Sequence, residues 1–236
     1  MCDVDRYVDR LYEPCLQQLK IPYIKTEWHR YAADLNRIPE DVDSTSVIGN
    51  QTNAGTHNRG FHWTVTTTGI PIMKEPMPLE MHKRLVSLIY DPFHRQVKDL
   101  AKKLESEDGA KKIFHIDAHS MPSVGTKMHK DPGEKRADIV VSDSLGKSSQ
   151  KEFVDLVINS YVRAGFKVGY NWPYMGGRLT EQYGRPDQGH HTVQVELNRA
   201  LYMDEVTKKF KPEEAKKVSE KIQKALAMIQ QGLNRL

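Results

Sequence analysis

Four short apolar runs alternate with amphipathic helical stretches, and this alternation limits the chain more than any other feature. The runs are "KIFHIDAHS", "DIVVSDS", "KVGYNW" and "HTVQVELN". Between and after them lie "QKEFVDLVINSYVRAGF", with Gly165 at its C-terminal end, and "PEEAKKVSEKIQKALAMIQQGL". Strands separated by helices predict an α/β fold with a mostly parallel sheet and helices on both faces, a three-layer arrangement. Nearer the start, Val4, Val8, Leu11, Tyr12, Cys15, Leu16 and Leu19 follow helical spacing up to Pro22. "YIKTEWHRYAADLN" reads as a strand running into a loop, and Thr45 to Gly69 as a long irregular segment rich in Thr, Asn and Gly. A helical region from about Leu79 to Leu104 is expected to be interrupted or bent near Asp91 and Pro92. "SVGTKMHKDPGEKRA" reads as a charged surface loop, and nothing between these segments has the composition of a linker.

The 236 residues carry 35 basic and 31 acidic side chains mixed along the chain, for a net charge of +4. No block of lysines and arginines dominates, so the charge predicts solubility rather than a nucleic-acid partner. Cys2 and Cys15 are too few for a disulfide framework. No segment reaches the roughly 20 apolar residues of a membrane span, and "MCDVDRYVDRLY" has no apolar signal region. A cytoplasmic protein is the expectation.

Ligands of open α/β sheets sit beyond the carboxyl ends of the strands. Asp117, His119 and Ser120 stand at such an end, and "TVQVELNR" carries Glu196 among apolar neighbours with Asn198 and Arg199 behind it. The expected third strand would bring Asp34, Asn36 and Arg37 to its end. Each residue also has a plain structural reading. His119 would then be a hydrogen-bonded loop residue, and Asp3 and Asp5 would cap the first helix. Glu196 would pair with Arg199 or Arg37, because a buried carboxylate without a partner is costly. The stretch "NWPYMGGRLTEQYGRPDQGHH" adds Arg178 and Arg185, whose guanidinium forks suit carboxylates, with His190 and His191 next to the Glu196 strand. His, Asp and Glu at strand ends beside arginines point to a divalent metal, zinc, and to a small anionic substrate.

These same stretches carry a resemblance. "IDAHSMPS", "NWPYMGG", "YGRP" and "HTVQVELNRALYMDE", with "DVDRYVDRLY", "HRYAADLNR" and "TTTGIPIM" before them, resemble the N-formylglutamate amidohydrolase family over Asp3 to Glu205. The resemblance implies a single domain over residues 1–236 with a phosphorylase/hydrolase-like fold, akin to zinc carboxypeptidases and the aspartoacylase group. It implies one zinc ion, a small N-acyl acidic amino acid such as N-formyl-L-glutamate as substrate, and release of formate as in histidine degradation. By position, His119 and Asp5 resemble metal ligands and Glu196 the general base. Arg37 and Arg178 resemble clamps for substrate carboxylates, with Asn36 and His191 beside them. Family members usually begin with a strand ending in Pro-His-(Ser or Ala)-Gly, whose histidine is a further ligand. Met1 stands immediately before "CDVD", so the expectation is a domain without that first strand. A fragment, a start codon placed too late and a short homologue without metal all satisfy this. The rival functions are a related zinc amidase acting on another N-acyl amino acid or a cell-wall peptide, and a metal-free binding protein.

Overall fold

The structure is a computed structural model and describes residues 3–50, 59–106, 109 and 111–236. Its elements run α1 (Val8–Gln18), α2 (Leu79–Leu85), a π turn (Val86–Tyr90), α3 (Asp91–Ser106), β1 (Ile113–Met121) and β2 (Ile139–Ser142). They continue with α4 (Lys151–Arg163), β3 (Val168–Tyr170), α5 (Arg178–Tyr183), β4 (His190–Asn198) and α6 (Pro212–Leu233). The chain divides into two compact units. The first holds Met1–Val4, Ile24–Lys111 and Thr126–His129; the second holds Asp5–Tyr23, Lys112–Gly125 and Lys130–Leu236.

The second unit contains a four-stranded mixed sheet of order β1-β4-β2-β3. β1 with β4 and β2 with β3 are parallel, whereas β2 runs antiparallel to β4. Side chains alternate across a strand, so the register sorts them into two faces. Phe114, Ile116 and Ala118 of β1, Val193, Val195 and Leu197 of β4, and Ile139 and Val141 of β2 share one face and join the main core. Against it pack the apolar stripes of α1 (Val8, Leu11, Tyr12, Cys15), α4 (Phe153, Val154, Val157, Tyr161) and α6 (Ala215, Val218, Ile222, Ala225, Leu226, Ile229). Each stripe repeats at three and four residues, the spacing that puts side chains on one side of a helix. The opposite face of the sheet is mainly polar, although Val140 of β2 lies on it as the register partner of Glu196. It carries His115, Asp117 and His119 of β1, Thr192, Gln194, Glu196 and Asn198 of β4, and Ser142 of β2.

Helix α4 ends as its sequence predicts, with Gly165 at φ 91°, a left-handed position that glycine occupies without strain. Gly125 is constrained by contact instead. A Cβ there would lie 1.8 Å from the backbone oxygen of Asp131. Gly125→Ala is therefore expected to force the 125–133 loop apart and lower Tm by roughly 3–10 °C. Differential scanning calorimetry checks this, and an unchanged Tm would mean that the loop yields freely.

The first unit has a smaller core of Ala33, Leu35, Val42, Val47, Phe61 and Ile89. The helical region from Leu79 is interrupted just before Asp91, as expected, by the π turn Val86–Tyr90. In a regular helix the Pro92 ring would strike the carbonyl one turn back, and the chain passes this point as the π turn before α3. The expected strand in "YIKTEWHRYAADLN" is absent: residues 21–36 form no strand. Side chains there bond to nearby backbone instead, His29 Nδ1 accepting from Tyr31 N at 3.1 Å and Asp34 Oδ1 from Asn36 N at 3.0 Å. Such local bonds compete with a sheet ladder. Among the described residues no helix is long and apolar enough to cross a membrane.

A histidine pair with one buried member gives the first unit a pH dependence. His62, 1% exposed, holds Ala32 O through Nδ1 at 3.0 Å and meets His82 Nδ1 through Nε2 at 3.0 Å. Burial, and then the neighbouring His82, push the His62 pKa from 6.5 down to about 4. The unfolded chain takes up this proton near pH 6.5 and the folded one only near 4. Stability present above 6.5 is thus lost as the pH falls from there toward 4, by on the order of 2–3 kcal/mol. Thermal melts from pH 7.5 to 4.5 are expected to fall more steeply for the wild type than for His62→Gln. Parallel curves would assign the dependence to other groups.

Candidate active site

The polar face of the sheet gathers the titratable groups. His119 of β1 and Glu196 of β4 are register partners, and Asp117 and Gln194 are partners two residues earlier. All four are therefore on one face, toward the carboxyl ends of two parallel strands. Asp5, from the segment before α1, reaches the same strand end. Its Oδ2 lies 3.0 Å from His119 Nδ1, and its Oδ1 accepts from Ser120 N at 2.6 Å and from Ser120 Oγ at 3.1 Å. Arg199 secures this junction from behind, donating to Ser120 Oγ and Ser120 O at 3.0 Å each and lying 3.9 Å from Asp5 Oδ1.

The other ring nitrogen of His119, Nε2, is 2.9 Å from Asp117 Oδ2. Burial disfavours charge on this imidazole. The carboxylates of Asp117 and then Asp5 outweigh it and hold the pKa well above the usual histidine range. Two carboxylates thus favour positive charge at this strand end. Neither Asp5 nor Asp3 caps α1. The N-cap position belongs to Tyr7, in the left-handed region at φ 66° and without a side-chain cap. Asp3 instead accepts from Tyr31 Oη at 2.5 Å and from Thr67 in the first unit.

Glu196 is 6% exposed, and its Oε1 accepts from Gln194 Nε2 at 2.7 Å. A second polar chain approaches it from the loops. Asp131 grips Arg136 through two bonds of 2.7 Å, and Arg136 Nη1 donates to Tyr174 Oη at 2.9 Å. Burial, and next the charge of Glu196, push the Tyr174 phenol pKa up, so that it remains protonated near neutral pH. Asp131 and Arg136 fall in the segment expected to be a charged surface loop, yet both side chains are only 1% exposed. A buried ion pair inside a run of lysines and acids has no sequence signature. Tyr174 lies in "NWPYMGG", the stretch whose tyrosine sequence reading left unassigned.

The other expected site residues are Asn36, Arg37, Arg178 and His191. Asn36 and Arg37 belong to the first unit. There the Arg37 guanidinium donates to Asn36 O at 2.8 Å and Arg59 O at 3.3 Å, 3.9 Å from Asp41. Arg178 opens α5, with 37% of its side chain exposed and Glu181 at 3.9 Å. His191 is not brought to the polar face. As an odd-numbered residue of β4 it points to the helices, stacks on Phe114 and accepts from Gln150 N at 3.1 Å. Among the described residues, no group of three or more His, Cys, Asp or Glu side chains is arranged to hold a metal ion. Asp5 and Asp117 each bring a carboxylate oxygen to one ring nitrogen of His119, at 3.0 and 2.9 Å.

A family model described as N-formylglutamate amidohydrolase matches residues 2–203. The chain belongs to that family. Helix α6 lies beyond the matched span. Relatives named N-formylglutamate deformylase occur in Pseudomonas aeruginosa, 27% identical over 87% of this chain and 73% of that protein, and in Pseudomonas putida, 28% identical over 86% and 72%. The crystal structure of an N-formylglutamate amidohydrolase from Ralstonia eutropha superposes with a TM-score of 0.85, covering 98% of this chain and 84% of that one at 25% identity. A gene product of Agrobacterium tumefaciens shares the fold, with a TM-score of 0.60 at 16% identity. Family membership sets the chain among hydrolases of amide bonds.

Proposed function

We propose that this protein hydrolyses the formamide bond of N-formyl-L-glutamate, or of a closely similar N-acyl acidic amino acid, with one zinc ion held by Asp5 and His119. The observation that carries this reading is the convergence of Asp5 and His119 at the end of β1, with Glu196 opposite in register on β4. The two donors are of the kinds that bind the ion, one fewer than the three protein ligands of catalytic zinc sites. A carboxylate oxygen and an imidazole nitrogen 3.0 Å apart have the separation of two ligands on one metal, and Asp117 on the far nitrogen is the orienting carboxylate that metal-bound histidines usually have. When bound, zinc supplies Lewis acidity that polarises the amide carbonyl and makes hydroxide available near neutral pH. The reading extends to the zinc carboxypeptidase and aspartoacylase superfamily with its three-layer fold, and to the cytoplasm.

The protein's own residues have separate tasks. Glu196 accepts a proton from the attacking water and returns it to the nitrogen as the carbon–nitrogen bond breaks, leaving formate and the free amino acid. The protonated Tyr174 phenol, oriented by Arg136, is a hydrogen-bond donor held close to that carboxylate. Arg178 is the guanidinium assigned to a substrate carboxylate, which would favour an acidic N-acyl amino acid over a neutral one.

The test is formate release by the purified protein from N-formyl-L-glutamate and N-formyl-L-valine, before and after chelation and after zinc is restored. Activity on the acidic substrate alone, lost to the chelator and regained with zinc, is the expected result. Zinc-loaded protein that releases no formate would overturn the activity. Turnover indifferent to chelation would remove the metal from it.

A further inference from the structure

The polar row on β4 contains one neutral side chain whose placement the proposed chemistry leaves unexplained. Gln194 is 3% exposed, on the central pair of strands, with Asp117 of β1 and Ser142 of β2 as its register partners. Burying a primary amide is unfavourable unless its polar atoms find partners. The amide nitrogen does: Nε2 donates to Glu196 Oε1 at 2.7 Å, a short bond of the charge-assisted kind. The amide oxygen does not. Gln194 Oε1 is buried without a hydrogen-bond partner among the described residues. Turning the amide over would set that oxygen against the Glu196 carboxylate, so the Glu196 bond decides its orientation. The side chain thus keeps one bond, to Glu196, and leaves its other end unsatisfied.

The backbone makes this bond a rigid one. Gln194 and Glu196 are two residues apart on the same face of β4, which is paired to β1 on one edge and to β2 on the other. Neither Cα can shift without breaking a ladder on both sides. The bond therefore acts as a fixed strut between two side chains on one strand, and restricts the rotamers open to Glu196.

We infer that Gln194 is a positioning residue for Glu196: it holds the carboxylate in the orientation from which it takes the water's proton. The inference rests on the reading of Glu196 as the general base. An interaction of this kind acts on the transition state and leaves ground-state substrate binding alone, so its loss lowers kcat and kcat/KM together with KM unchanged.

Gln194→Met and Gln194→Leu keep a side chain of similar bulk, make it apolar and remove the donor. Steady-state kinetics of formate release, zinc content after dialysis and Tm are measured for both variants and the wild type. The expected result is a fall in kcat of about tenfold to a hundredfold, with KM within about threefold and zinc content and Tm near the wild-type values. Three results would overturn the inference: a smaller fall in kcat, a loss carried by KM, or failure of both variants to fold, which would make Gln194 a structural residue. A wild type that is zinc-loaded and inactive on N-acyl acidic amino acids overturns the proposed function, and this inference with it. Active wild type with equally active variants overturns the inference alone.

Discussion

Glu196→Gln is expected to lose amide hydrolysis by a factor of about a thousand or more while fold and metal content persist. The exchange replaces one carboxylate oxygen by an amide nitrogen and leaves the shape almost unchanged. The amide oxygen that remains can still accept from Gln194 Nε2, which bonds Glu196 Oε1 at 2.7 Å, so the strand keeps its packing. What disappears is the ability to take a proton from water. Turnover of N-formyl-L-glutamate, Tm and zinc content measured on one preparation decide the matter. Activity within about tenfold of the wild type would make Glu196 a structural partner of its neighbours.

His119→Ala is expected to lower zinc affinity by at least about tenfold and to abolish turnover, again in a folded protein. The ring contributes contacts at 3.0 Å to Asp5 and 2.9 Å to Asp117, but the junction itself does not depend on it. Asp5 keeps its bonds to Ser120 N and Oγ, with Arg199 behind. Asp117→Asn removes only the orienting carboxylate and should cost less than removal of the ring. Metal analysis after exhaustive dialysis reads both variants. Wild-type stoichiometry in His119→Ala would take the histidine out of the metal site.

The sheet and its apolar layer were legible because they rest on simple periods. Alternation in "HTVQVELN" and "KIFHIDAHS", and three-and-four spacing in the helices, reproduce β1, β4, α4 and α6 closely. The strand expected around Tyr23 to Asn36 failed for a physical reason. Its aromatic residues suit a pleated surface, but Trp28 is 51% exposed and the side chains of His29 and Asp34 fold the backbone into turns. Asp5 and His119 could be singled out as residues at a helix start and a strand end. Their contact could not, since 114 positions separate them. The same holds for Asp131, Arg136 and Tyr174, whose connection exists only in three dimensions. Gln194 is different. Thr192, Gln194, Glu196 and Asn198 fall on alternate positions, so the polar face was written into the strand. A neutral amide between two valines, Val193 and Val195, carries no charge to mark it in the sequence. The expected placement of His191 beside the site ignored the same alternation.

The two faces of β4 also give this strand a division of labour that a substitution library can resolve. Odd-numbered residues from His191 to Leu197 press on the helices, whereas even-numbered residues from Thr192 to Asn198 form the polar face. Neighbours in sequence are therefore strangers in consequence. Variation at one set trades against heat tolerance, variation at the other against turnover, and the two tolerances should alternate residue by residue. For the protein's evolution, such a strand offers two nearly independent adjustments within nine residues: the robustness of the scaffold can drift while the polar side holds still, or the reverse.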